Sequence, residues 1–238
     1  MKVLIKTLLN LFDYFTQKKI NSEIKKNLNF NYPINVIDIG SHKGEYISSI
    51  KRKFKISRIY GFEPNKEIYE ILLNKYKNDK NIFLYNYGIS VNSGEVFLNK
   101  NIESSSSSIN ELNTKSKYFN KKYLLLNFLN LKEVTTKVKI NVIRLDQFMV
   151  ANNIKQVELL KIDTEGFEFN VIKSLGKKIS KIKMIHFEHH FDDMIIKNYN
   201  LSDIHDYLIS NGFIKTFKIK MKFRKSFEYI YLNKNFKL

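Results

Sequence analysis

The chain has 238 residues, 41 Lys or Arg against 23 Asp or Glu, a formal net charge of +18, and no cysteine. That length holds one large α/β domain with a substantial core. The lack of cysteine excludes disulfides and cysteine-ligated metal and suits a cytoplasmic enzyme. Only four of the basic residues are arginine, namely Arg52, Arg58, Arg144 and Arg224. Phosphate or base recognition through guanidinium forks is therefore poorly served and nucleic acid is disfavoured as a partner. The lysine charge can still attract nucleic acid, an anionic membrane surface or an acidic glycan.

Residues 1–33 read as an N-terminal helical segment. Val3, Leu4, Leu8, Leu11, Phe12 and Phe15 fit one face of an amphipathic helix. Lys6 interrupts the apolar run and no small-residue cleavage site follows, which argues against a signal peptide, and the run is too short for a membrane span. The helix is expected to pack on the domain or on a second copy in a homodimer, with peripheral membrane contact as the alternative.

From residue 34 the pattern alternates: strand 34–39, helix 44–54, strand 58–62, helix 65–77, strand 81–87. This is the rhythm of a parallel, doubly wound sheet. Ser93-Gly94 then turns into a short strand, Glu95 to Leu98, and Ser104 to Ser108 is a polar loop. Residues 111–133 look helical, and Lys137 to Ile143 alternates as a strand does. We read 93–143 as an insertion over the ligand edge of the sheet. The sheet resumes with a helix from Leu145 to Asn153, a buried strand from Val157 to Ile162, a helix from Phe167 to Leu175 and a strand from Lys183 to Phe187. A helix over 202–211 precedes two strands, Phe213 to Ile219 and Glu228 to Leu232, expected to be the antiparallel pair that closes a seven-stranded sheet. Residues 34–238 then form one domain.

The segment Val36-Ile37-Asp38-Ile39-Gly40-Ser41-His42-Lys43-Gly44 ends a buried strand in Asp-x-Gly and adds a second glycine four residues on. Without side chains, Gly40 and Gly44 would let a ligand approach the backbone. A dinucleotide fingerprint needs G-x-G-x-x-G. The pattern here lacks its extra glycine, and S-adenosylmethionine fits better than a pyrophosphate. Glu63 ends the next strand 19 residues after Gly44, near the roughly 20 residues expected for an acid that accepts from ribose hydroxyls. Pro64 then stops the strand.

Ligands of open α/β sheets sit outside the carboxyl ends of the strands. Four predicted strands end there in an acid: Asp38, Glu63, Asp163 and Glu188. Such an edge needs cations, supplied by a sulfonium and ammonium, by Lys43, or by an optional divalent metal, for which no H-E-x-x-H spacing is present. After Asp163, Glu165 and Glu168 suit the first turn of a helix. In His186-Phe187-Glu188-His189-His190, alternation puts His186, Glu188 and His190 on one side and His189 on the other. We favour His189 or His190 as a general base over a metal ligand.

Taken in order, Asp38-Ile-Gly-Ser-His-Lys-Gly-Glu-Tyr46, Tyr60-Gly-Phe-Glu-Pro64, Gly88-Ile-Ser90 with Gly94, the serine run, Arg144-Leu-Asp146 and Leu160-Lys-Ile-Asp-Thr-Glu-Gly-Phe-Glu168 resemble the FkbM-type methyltransferases over roughly residues 34 to 190. The resemblance implies a class I, Rossmann-like methyltransferase fold: an α/β, mostly parallel seven-stranded sheet with helices on both faces and an insertion before strand four. It implies S-adenosylmethionine as cofactor and O-methylation of a hydroxyl on a sugar, glycan or polyketide. By position, Asp38, Gly40 and Gly44 would line the cofactor's amino-acid end, Glu63 the ribose, and Asn86 and Tyr87 the adenine. Asp163, Glu188 and His189 are the expected catalytic residues. One rival is an RNA 2′-O-methyltransferase using Lys43, Asp163 and Glu188, which the missing second lysine and scarce arginine oppose. The other is a non-catalytic scaffold that keeps the fold.

Overall fold

Every residue of the strand Val157–Ile162 is buried, and its alternate side chains feed two different cores. Leu159 packs with Val36, Ile59, Met184 and Ile230, while Leu160 and Ile162 pack with Ile37, Ile39, Ile185 and Phe187. Burial on both faces is what an apolar run at the centre of a parallel sheet predicts, and each fully buried Leu or Ile contributes about 2 kcal/mol. The computed structural model describes residues 2–28, 32–100, 107–113, 115–117, 136–222 and 224–236, with backbone alone for 2–11.

The strands are β1 (Ile34–Ile39), β2 (Ile56–Phe62), β3 (Ile82–Tyr85), β4 (Gly88–Ile89), β5 (Gly94–Lys100), β6 (Thr136–Ile143), β7 (Val157–Ile162), β8 (Ile182–His190), β9 (Phe213–Lys220) and β10 (Ser226–Asn233). The helices are α1 (Lys2–Asn27), α2 (Glu45–Lys51), α3 (Lys66–Tyr76), α4 (Leu145–Ala151), α5 (Glu168–Lys173) and α6 (Leu201–Ser210), with a 3₁₀ turn over Gly176–Lys181. The main sheet runs β3-β2-β1-β7-β8-β10-β9. Only β10 is reversed: it pairs antiparallel with both β8 and β9. Ile20 and Ile24 of α1, Ile47 and Ile50 of α2 and Leu72 of α3 cover one face. Phe148 of α4, Val171 and Ile172 of α5 and Ile204 and Leu208 of α6 cover the other. This is the parallel, doubly wound α/β sheet with an antiparallel closing pair that the alternating pattern predicts, and the seven-stranded class I arrangement that the family resemblance implies.

The differences have local causes. Strand β8 runs past the expected Phe187 to His190, because Ser226 and Phe227 of β10 pair with His190 and His189. Strand β3 stops at Tyr85, which leaves Asn86 and Tyr87 in the following loop. The expected insertion contributes to a second sheet, β4-β6-β5, in which the unforeseen strand Gly88–Ile89 pairs parallel to β6. The predicted helix over 111–133 falls mostly outside the described residues, as do Ser104 to Ser106 of the serine run. Its described residues 111–113, 115 and 116 are not helical, since Leu112 bridges to Ile195 and Asn113 N–H donates to the Met194 carbonyl at 2.7 Å, whereas Lys117 is helical. Helix α1 packs through its C-terminal half. The side chains of Val3, Leu4, Leu8 and Leu11 lie outside the described residues, and Phe15 is 51% exposed. Among the described residues, no helix is long and apolar enough to cross a membrane.

Candidate active site

The strand order changes direction between β1 and β7, where the loop after β1 leads to α2 on one face and the loop after β7 leads to α5 on the other. Such a switch point opens a crevice at the carboxyl edge. The two loops touch: Asp163 N–H donates to the Ile39 carbonyl at 2.9 Å. Gly40 has a φ of 81°, and a Cβ there would overlap the Asp163 carbonyl oxygen. Gly44, at a φ of 75°, would press on Tyr76 and Leu72 if it carried one. Both glycines are thus required by the protein's own packing and by left-handed backbone. Within the described residues, non-glycine residues with left-handed φ include His42 (47°) and Glu165 (48°), one in each loop, which is where functional strain collects.

Glu63 follows β2 directly and is 7% exposed. Its Oε2 accepts from His42 N–H and its Oε1 from Asn65 N–H, both at 2.9 Å. Burial pushes its pKa up against those two amides. Each oxygen keeps accepting capacity for a hydroxyl. Asn86 spends its amide group on the Glu63 and Pro64 carbonyls at 2.8 and 3.1 Å, so it fixes the loop that carries Glu63. Tyr87 beside it is 38% exposed.

Asp38 sits one residue inside β1, opposite Lys161, and is 1% exposed. Burial raises its pKa to about 7, and the charges of Lys161, Asp163 and Glu63 all reach it. Its Oδ2 makes no hydrogen bond among the described residues. A buried oxygen left open in this way is costly unless a donor arrives.

Across the switch point a polar chain lies on the α1–α3 face. Lys161 Nζ stands 3.4 Å from both Asp163 Oδ2 and Glu228 Oε2. Glu228 Oε2 is 2.8 Å from His186 Nε2, and His186 Nδ1 is 3.2 Å from the Tyr46 hydroxyl. Burial alone would lower the Lys161 pKa, but Asp163, Glu228 and Glu188 hold it above its ordinary value. Burial likewise opposes ionisation of Glu228, yet Lys161 and His186 bring its pKa down to about 2. This pair is therefore ionised, and removing either partner would strand a buried charge.

At the mouth, the Asp163 side chain is 39% exposed while that of Glu188 is 6% exposed. Burial, reinforced by Asp163 and Glu228, pushes Glu188 up to about 8. His190 lies between acids, with Nε2 3.2 Å from Glu165 and 3.7 Å from Glu188, and Nδ1 3.6 Å from Asp192. Burial works against its charge, but Asp192 and Glu165 raise its pKa to about 11, so it is a cation at neutral pH. His189 points to the opposite face, where Nδ1 is 3.7 Å from Glu168 and its ring lies beside Tyr199. The structure thus brings Asp163 and Glu188 together and keeps His189 apart from them. The period-two alternation of β8 is the reason. Lys43 is exposed on the β1 loop.

The profile of the methyltransferase FkbM domain matches residues 38–215, most of the chain. The chain belongs to the FkbM methyltransferase family. A methyltransferase FkbM from Methylobacillus flagellatus superposes with a TM-score of 0.53 at 16% identity, over 84% of this chain and 44% of that one. The chain spans less than half the length of that relative. TrmK of M. capricolum, solved with the natural cofactor product S-adenosylhomocysteine, superposes with a TM-score of 0.51 at 10% identity, over 92% of this chain and 69% of that one. At those identities the two structures speak for the fold. No curated protein matches the chain significantly.

The FkbM-type motifs hold the residues one would ask of S-adenosylmethionine: the open Asp38 Oδ2 for a cationic tail and the anchored Glu63 carboxylate for hydroxyls. Among the described residues no group of three or more His, Cys, Asp or Glu side chains is arranged to hold a metal ion. Sequence reading overlooked Lys161, Glu228 and Tyr46. A lysine inside an otherwise buried strand was the available signal, because such a residue needs an acidic partner.

Proposed function

We propose that this FkbM-family chain transfers a methyl group from S-adenosylmethionine to a hydroxyl of a sugar or glycan. The observation that carries the reading is the meeting, at one crevice, of a ribose-type carboxylate with a part-exposed carboxylate backed by a buried lysine. Strand β1 and the loop after it supply Asp38, Gly40 and Gly44, and the position just after β2 supplies Glu63, with Asn86 bracing Glu63 and Tyr87 at the rim toward adenine. S-adenosylmethionine, when bound, supplies a methyl already activated by its sulfonium.

The chain's own residues then have three tasks. Asp163, accessible beside Lys161, accepts the proton of the acceptor hydroxyl as the oxygen–methyl bond forms and the sulfur–methyl bond breaks. Lys161, held by Glu228, fixes the orientation of that carboxylate. Glu188 loses its proton near pH 8 and then strengthens Asp163 as a base through like-charge repulsion. His190, already a cation, balances the acids and is no proton acceptor. His189 supports α5 through Glu168. A hydroxyl is favoured over an amine because β7 ends in Asp163-Thr164-Glu165-Gly166, without the N-P-P-Y-type motif of amino-group methylation.

The test is transfer of labelled methyl from S-adenosylmethionine to a panel of free sugars and glycans, with single-stranded RNA alongside. Label in the glycan fraction supports the reading. Label in RNA 2′-hydroxyls, with a steep salt dependence, would replace it with the RNA rival.

A further inference from the structure

We propose that the protein docks on an anionic lipid surface through one edge, made of the end of β9, the β9–β10 connection and residues 12–15 of α1. Residues 218–225 carry Lys218, Lys220, Lys222, Arg224 and Lys225 and not one acid. All five side chains are exposed. Because β10 is antiparallel to both β8 and β9, β9 runs parallel to β8, and Lys220 lies at the same end of the sheet as His190. Phe191 N–H donates to the Lys225 carbonyl at 3.0 Å, tying the connection to the end of β8. The basic edge therefore borders the mouth at Asp163 and Glu188.

Helix α1 extends this edge. Lys222 Nζ lies 4.1 Å from the Phe12 ring centroid, and Arg224 donates to Asp13 at 3.1 Å. The next residues, Tyr14 and Phe15, are 63% and 51% exposed, and Phe191 beside Lys220 is 49% exposed. Aromatic rings next to lysines suit the boundary between lipid headgroups and acyl chains.

A lipid surface fits better than RNA. Lysine heads over Phe12, Phe191 and Phe227 occupy rings that bases would need for stacking. The one arginine of this edge is tied to Asp13. Lysine point charges are enough for an anionic membrane, where each adds several-fold to affinity. A consequence that rests on the methyl-transfer reading is that the acceptor hydroxyl is carried at the membrane surface.

The experiment is co-sedimentation of the full chain with vesicles of phosphatidylcholine alone, or with about a third phosphatidylglycerol. The wild type is expected to bind only the anionic vesicles. The double variant Lys220→Glu/Lys222→Glu should lose roughly thirtyfold in affinity, and Tyr14→Ser/Phe15→Ser roughly tenfold. Titration of the same samples with S-adenosylhomocysteine reads folding and the methyl-donor site separately, so failure of that reading is distinguishable from failure of docking. If a variant does not fold, wild-type binding that vanishes at high salt supports the proposal and salt-insensitive binding opposes it. Absent or lipid-indifferent wild-type binding, full retention in both variants, or capture of single-stranded RNA in preference to vesicles overturns it.

Discussion

On one side of the switch point Glu63 is held by peptide N–H groups of His42 and Asn65, and on the other Asp163 is held by Lys161, which leans in turn on Glu228. The first arrangement uses backbone donors from loops close in the chain. The second joins side chains from elements distant in sequence: Lys161 and Glu228 are 67 residues apart, Tyr46 and His186 140 apart. Under the proposed reading, backbone anchoring makes the cofactor side tolerant of charge changes elsewhere, and side-chain anchoring makes the acceptor side sensitive to every member of its chain.

Several substitutions would break or sharpen that contrast. Asp163→Asn should lower turnover about a thousandfold while the affinity for S-adenosylhomocysteine stays within about twofold, read by kinetics and calorimetry. Lys161→Met should cost about 3–5 kcal/mol of stability by leaving Glu228 buried without its lysine countercharge, with only the His186 contact remaining, measured by urea unfolding, with much of it regained in Lys161→Met/Glu228→Leu. A pH series separates Glu188 from its neighbours. Its pKa in the folded chain, about 8, lies above the ordinary glutamate value of 4.5. Its contribution to stability is therefore fully present below about 4.5 and lost as pH rises through about 8, whereas turnover rises over the upper part of that range. Glu188→Gln should flatten both curves between pH 7 and 9, raising Tm there by about 4 °C. His189→Asn should change turnover least, about twofold, because its side chain faces Glu168 and Tyr199.

Much of the proposed cofactor side was legible in the chain because its parts are contiguous. Asp38, Gly40, Gly44 and Glu63 lie within 26 residues of sequence, and their order already implies strand, turn and acid. Even there the glycines serve a purpose that pattern alone does not disclose: Gly40 makes room for the Asp163 carbonyl, a contact made only when β1 and β7 pair. The acceptor side was only half legible. Asp163 stands where β7 ends, Glu188, expected at a strand end, lies within β8, and the alternation of β8 separates His189 from His190. Lys161, however, reads as an odd residue in a buried strand until β10 folds back to bring Glu228 beside it. The charge state of His190 likewise depends on Glu165 and Asp192 from two different loops. Strand β4 escaped notice because two residues carry no periodicity.

The central claim is that donor binding and proton removal reside on opposite sides of the switch point. Calorimetric titration with S-adenosylhomocysteine of the wild type, Glu63→Ala and Asp163→Asn tests it most directly. The account predicts that the wild type and Asp163→Asn bind alike and that Glu63→Ala binds at least a hundredfold more weakly, roughly the loss of two charge-assisted hydrogen bonds. A wild type that does not bind, or an Asp163→Asn variant that loses as much affinity as Glu63→Ala, would contradict it.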